Sequence, residues 1–183
     1  MKTKFLIIAA AFSLAFVSCK NDKAAESEVK TEAVKPVVKE NFSVDLEVIA
    51  PKADDFAVYY TEDGTINFTG EKALWKGVLA DPNKAQTVTV DFPMNVVPTN
   101  IRFDLGNNKQ QDDLILQKFK LSYYGKTFEA NGSEFFNYFS ENDSIKTEVD
   151  KARGTIKFLK NTHSVPYFFP KKEVLDEISK ITK

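Results

Sequence analysis

One cysteine, one histidine and one tryptophan are all that the 183 residues contain of these side chains. A lone Cys excludes an internal disulfide framework, and a lone Cys with a lone His excludes the usual Cys/His zinc clusters. The 25 basic and 26 acidic residues leave a formal net charge of -1. A nucleic-acid partner is not expected, because displacing phosphate counterions needs a concentrated basic surface. The seven glycines are scattered and build no phosphate-cradling loop. His163 lies in Asn161-Thr162-His163-Ser164, and no GxSxG elbow accompanies it, so Ser/His/Asp chemistry is not expected. Pairs of carboxylates such as Asp54-Asp55 or Glu148 with Asp150 arise by chance among 26 acids and do not define a glycosidase. The chain reads as non-catalytic.

What is present is an ordinary globular mixture, 43% hydrophobic and 28% charged, with sixteen Phe and six Tyr that suggest an aromatic-rich β core. The length suits one domain. At the N-terminus, Lys2 and Lys4 precede the uncharged run Phe5 to Val17, FLIIAAAFSLAFV, which ends at Ser18-Cys19. The run falls short of the roughly 20 apolar residues of a transmembrane helix and fits the apolar core of a secretory signal. The only Cys sits where that run ends, and an ordinary signal peptide that happens to carry a thiol is the plainer alternative. Removing residues 1–18, which hold Lys2, Lys4 and no acid, leaves 23 basic against 26 acidic residues.

The arrangement around Cys19 resembles the lipobox of bacterial lipoproteins, with Phe16 where Leu is usual and Ser18 where Gly or Ala is commoner. That resemblance implies acylation of Cys19 by palmitate-type chains and a membrane partner reached through lipid rather than a helix. Lys20-Asn21-Asp22-Lys23 is similar to the charged export tracts of Bacteroidota surface lipoproteins, which implies the outer membrane, facing the periplasm or the outside. From residue 19 to residue 41 the chain is rich in Lys, Glu, Ala and Val and has no aromatic until Phe42, and Pro36 interrupts it. This reads as a flexible tether, whose twenty-odd residues would span about 25 Å on average.

From Phe42 to Lys183, alternation of period two dominates. Val44, Leu46 and Val48 alternate with Ser43, Asp45 and Glu47. Phe56, Val58 and Tyr60 follow, and Glu62-Asp63-Gly64 predicts a hairpin into Thr65–Phe68. Further strands are expected around Val88 to Phe92, Ile101 to Leu105, Ile115 to Tyr123, Thr127 to Ala130, Ile145 to Val149 and Thr155 to Leu159. Ile115, Phe119, Leu121 and Tyr123 are expected to share one face. Short strands without intervening helices predict an antiparallel β-sandwich or barrel. A short helix is expected over 133–139 with Ser133 as N-cap, and a C-terminal helix over 171–182. The apolar stripe of that second helix, Val174, Leu175, Ile178 and Ile181, either packs on the sandwich or docks a partner.

If Val88, Phe103 and Phe119 face the core, then Thr87, Thr89, Asp91, Arg102, Asp104, Lys118, Lys120 and Ser122 face outward. Were their strands neighbours, these residues would form one polar face able to grip sugar hydroxyls, with Trp75 or Tyr59 as a stacking ring. A solvated exterior is the bland alternative for the same residues, and a core position is the alternative for Trp75. Arg102 is one of two arginines among 23 lysines, and its fork suits bidentate contacts. Calcium, the one cofactor considered, would need oxygens from Asp104, Asn107, Asn108, Asp112 and Asp113, but Lys109 stands among them and a solvated turn reads better.

The run from VYYTEDGTINF through NIRFDLGNN to LILQKFKLSYYGKTFEANGSEFF, residues 45–150 in broad outline, resembles Bacteroidota surface segments with a jelly roll similar to carbohydrate-binding modules. The resemblance rests on Ile101-Arg102-Phe103-Asp104-Leu105-Gly106 and the Tyr123-Tyr124-Gly125 hairpin. It implies a non-catalytic envelope protein that binds glycan. A structural or assembly subunit contacting other envelope proteins is the competing expectation.

Overall fold

The computed structural model describes residues 38–142, 144, 147–158 and 165–183. The apolar leader, Cys19, the tether up to residue 37 and His163 lie outside the described residues. Within them, alternating apolar residues form β1 (Ser43–Ala50), β2 (Asp54–Thr61), β3 (Ala73–Val78), β4 (Asp81–Asp91), β5 (Asn100–Leu105) and β6 (Leu114–Tyr123). The chain continues through β7 (Lys126–Asn131), α1 (Phe135–Tyr138), β8 (Phe139–Glu141), β9 (Glu148–Asp150), β10 (Thr155–Lys157), β11 (Tyr167–Pro170) and α2 (Lys172–Thr182). These strands make two antiparallel sheets. The first has the order β4-β1-β6-β10-β9, with β7 also on β6, and the second has the order β3-β2-β5-β11-β8. The connections β1 to β2, β3 to β4 and β5 to β6 each cross from one sheet to the other, so successive strand pairs wrap one core in a jelly-roll-like path.

That core is aromatic. Phe103 of β5 meets Phe119 of β6 edge-on across the sandwich at 5.9 Å between ring centroids. Phe135 and Phe139 close around the pair, 4.7 Å from one another and stacked. All four rings are fully buried. Edge-to-face pairs of this kind add about 0.5–1.5 kcal/mol each beyond the area they bury.

Several local expectations change in the folded chain. Thr65–Phe68 is not a strand; β2 pairs instead with β3, from Asp54 opposite Val78 to Tyr59 opposite Ala73. The turn still forms at Asp63, whose carboxylate accepts from the Thr65 amide at 3.0 Å, but the chain after it lies as a loop. Ile115 does not share the face of Phe119 and Leu121, because the register of β6 against β1 slips between Glu47–Lys118 and Val48–Leu116. The extra residue, Gln117, reverses the phase, so Leu114 and Leu116 point inward and Ile115 does not. The short helix starts earlier than expected, with a 3₁₀ turn at Gly132–Glu134, and its cap is Asn131 rather than Ser133. Glu134 accepts from the Asn131 amide at 2.9 Å. The β9 and β10 strands are shorter than the alternation suggested, and Ile145 and Leu159 lie outside the described residues. The last residues assigned to the tether are held: Lys39 pairs with Asp91 at 2.7 Å and Asn41 donates to the Phe92 carbonyl at 3.0 Å.

The C-terminal stripe packs inward. Val174, Ile178 and Ile181 are buried, and α2 lies against β6, β7, β11 and α1.

Where β7 gives way to β10 along β6, two glycines allow the backbones to touch. The Leu116 amide donates to the Gly154 carbonyl at 2.9 Å. A Cβ on Gly132 would lie 1.8 Å from the Leu116 oxygen, and one on Gly154 would lie 2.4 Å from the same atom. Gly132→Ala should therefore destabilise by about 3 kcal/mol or more, at the upper end of overpacking costs. Gly70→Ala, where nothing lies within 4 Å of the added carbon, should change stability by no more than about 0.5 kcal/mol. Urea unfolding of the two variants checks the difference.

Candidate functional site

Burial of Phe103 sends its neighbours Arg102 and Asp104 to the outside of the second sheet, because successive side chains on a strand alternate between faces. There the two residues engage each other. Arg102 Nε donates to Asp104 Oδ1 at 2.8 Å and Arg102 Nη2 to Asp104 Oδ2 at 2.9 Å. The side chains are only 18% and 12% exposed. The fork assigned by sequence to a sugar is spent on Asp104.

Four rings surround the guanidinium. Arg102 Cζ lies 4.1 Å from the centroid of Tyr59, 5.2 Å from Tyr167, 5.5 Å from Phe68 and 5.9 Å from Phe169. Tyr59 is the cross-strand partner of Arg102, so its place follows from β2 and β5 pairing. Tyr167 and Phe169 come from β11 on the other side of β5. Phe68 comes from the loop after β2 and rests 6.2 Å from the Phe169 ring. Cation–π attraction of this kind strengthens as the cation loses water. Burial pushes the Asp104 carboxyl above the usual carboxylate range, and the Arg102 hydrogen bonds pull it back in part.

Trp75 belongs to the same face. It lies opposite Ala57, which lies opposite Asp104, which lies opposite Tyr167. The indole is 56% exposed, so Trp75 is not a core residue. Its neighbours on the sheet are small: Ala73 and Gly77 on its own strand, and Ala57 across from it. Asp55, opposite Gly77, is exposed, and beside it a hollow of about 420 Å³ is lined by Ala53, Asp54, Asp55, Asn107 and Asn108.

Asp91, Lys118 and Lys120 are elsewhere. They face outward as expected, but β4 and β6 flank β1 in the first sheet, whereas β5 is in the second. One polar face therefore becomes two, on opposite sides of the sandwich. On the first sheet, Lys118 and Lys120 line a shallow groove of about 200 Å³ with Asp45, Glu47, Thr87 and Glu129. Thr89 donates to Asp45 at 2.6 Å. Asp91, paired with Lys39, approaches Trp75 only around the side of the sandwich, where both line a groove of about 330 Å³ with Lys76 and Thr89.

Of the five side chains considered for calcium, Asp104, Asn108 and Asp112 are engaged within the protein. Asp104 turns to Arg102. Asn108 Oδ1 accepts from the Gln110 amide at 2.9 Å, and Asp112 pairs with Lys52 at 3.2 Å. The loop is organised by a carboxylate instead: Asp54 Oδ1 accepts from the Asn107 amide at 2.6 Å and the Asn108 amide at 2.8 Å. Its Oδ2 accepts from the buried Gln111 side chain at 3.0 Å. Among the described residues, no three His, Cys, Asp or Glu side chains gather as a metal site.

Sequence reading missed Phe68, Tyr167 and Phe169 at this face, and it weighed Asn107 only for calcium and Asp55 only within a chance carboxylate pair. Tyr167 and Phe169 carried a signal, since they alternate around the apolar Phe168; Phe68 carried none, because nothing local brings its loop over the sheet.

Arg102→Ala should cost about 2–4 kcal/mol, because it leaves a largely buried carboxylate unpaired. Arg102→Gln should also raise the Asp104 titration midpoint further, as it removes the hydrogen bonds that hold it down. Urea unfolding and an NMR titration of the Asp104 carboxyl check the two parts.

Compared with protein-family models, curated proteins and solved structures, the chain matches none.

Proposed function

We propose that the chain is a lipid-anchored, non-catalytic protein of the bacterial cell envelope that binds glycan through the outer face of its second sheet. The observation that carries this reading is Trp75, 56% exposed on a sheet face that also presents Tyr59, Tyr167 and Phe169 around Arg102. The face of a sugar ring that carries C–H groups stacks on an indole, while its hydroxyls seek carboxylates and amides at the edge. Asp55 and Asn107 stand there. Arg102 positions rings in this scheme and does not itself grip the ligand.

The lipid anchor rests on the leader and Cys19, and attachment at the outer membrane rests on the charged residues that follow. Among the described residues, no helix is long and apolar enough to cross a membrane.

An assembly role is the second reading. The observation in its favour is that β3 and β4 end their sheets on the same side of the sandwich, each with one unpaired edge. Pro82, Lys84 and Lys76 lie along those edges, which is how natural sheets discourage strand addition.

A glycan array probed with the full chain in mild detergent, with and without calcium, tests the function. Trp75→Ala should weaken the glycan that binds by about 1–3 kcal/mol, taking stacking of nucleobases on aromatic rings as the guide. The melting temperature of that variant should stay within a few degrees, as expected for an exposed position. For the anchor, Cys19→Ala should move the protein from the membrane fraction to a soluble or unprocessed form. Unchanged fractionation without bound lipid would exclude acylation.

A further inference from the structure

The outer face of the second sheet has a direction. Two aromatic side chains, Trp75 on the edge strand β3 and Tyr167 on β11, occupy the ends of one cross-strand row, with Ala57 and Asp104 between them. Three strand spacings separate the ends, about 14 Å, which exceeds the length of a single sugar ring. One side of the row is closed by Arg102, Tyr59 and the Phe68 loop. On the other side lies the hollow with Asp55 and Asn107. Among the described residues, the Asp55 carboxylate and the Asn107 carboxamide make no hydrogen bond within the protein. The charges in the middle of the row cancel, because Asp104 is held by Arg102 at 2.8 Å.

We infer that the ligand is an extended chain of neutral sugars lying across the strands, from Trp75 to Tyr167, with hydroxyls read by Asp55 and Asn107. This rests on the glycan reading above and goes beyond it in three respects. A single terminal sugar reaches only one ring. A polyanion gains nothing from a row whose one cation is already paired and whose free charged group is the Asp55 carboxylate. A chain running parallel to the strands would meet the Phe68 loop at one side of the row. Each sugar therefore takes its place in turn along a path that crosses β3, β2, β5 and β11.

Calorimetric titration of the full chain with the monomer-to-hexamer series of β-1,4-linked glucose and of β-1,4-linked N-acetylglucosamine tests this. In the series that binds, affinity should rise with each added unit through the trimer and then level off. Trp75→Ala should weaken both short and long oligomers. Tyr167→Ala should weaken the hexamer at least ten-fold and leave the disaccharide unchanged. Asp55→Ala and Asn107→Ala, at positions without side-chain partners, should weaken the hexamer about five-fold each, and they keep the test decisive if Tyr167→Ala fails to fold. Full affinity for the monosaccharide, or hexamer binding indifferent to Tyr167, Asp55 and Asn107, overturns the path while leaving glycan binding intact. Binding to neither series and to no glycan of the array removes the glycan reading and this inference together. A concentration-dependent dimer lost in Trp75→Ala would make the face a contact between copies and would also overturn it.

Discussion

Phe103 is the residue on which the arrangement of both the core and the surface depends. It lies in the middle of β5, fully buried, and meets Phe119, Phe135 and Phe139 at ring distances of 5.9, 5.6 and 4.9 Å. Those contacts join the two sheets and the short helical segment in a single cluster. Because side chains on a strand alternate, holding Phe103 inward obliges Arg102 and Asp104 to point outward together. A slip of one residue would bury a charged pair and expose a ring, so the register of β5 against β2 and β11 is strongly determined.

The outward pair then meets a second constraint. An arginine and an aspartate two residues apart on an open sheet face would normally be solvated, and an exposed pair contributes little to stability. Here β11 and the loop after β2 bring Tyr167, Phe169 and Phe68 over it, and Tyr59 lies across from it. With little solvent left, the guanidinium is satisfied by Asp104 and by ring faces. The same groups that orient the rings are thereby withdrawn from direct recognition of a ligand. What remains accessible on that face is the Trp75 indole, the Tyr167 ring, and the polar groups of Asp55 and Asn107.

The two outer faces of the sandwich differ in chemistry. The first sheet carries interleaved acids and bases, Asp45, Glu47, Lys118, Lys120 and Glu129, which suits a solvated exterior. The second is aromatic with one internal ion pair.

Much of the architecture was legible in the order of residues. Period-two alternation predicted an antiparallel sandwich or barrel, and helical spacing at Val174, Ile178 and Ile181 predicted the apolar face of α2, because both patterns are local consequences of which side chains avoid water. The alternation also assigned Arg102, Asp104, Asp91, Lys118 and Lys120 to the exterior. It could not tell which sheet each strand would join. That is decided by crossings such as β5 to β6, which carry consecutive strands to opposite sheets, and no local pattern records them. Nor could it register the bulge at Gln117, where the partner strand β1 sets the count, or the approach of Gly132 and Gly154 to the Leu116 carbonyl. The sequence by itself determined that the fold is β, which residues of β1, β2, β4 and β5 line its core and that Arg102 lies outside it. Only the tertiary structure decided that Arg102 faces Asp104 and four rings rather than a ligand, because those rings come from strands and a loop distant along the chain and meet only when both sheets have closed on the core.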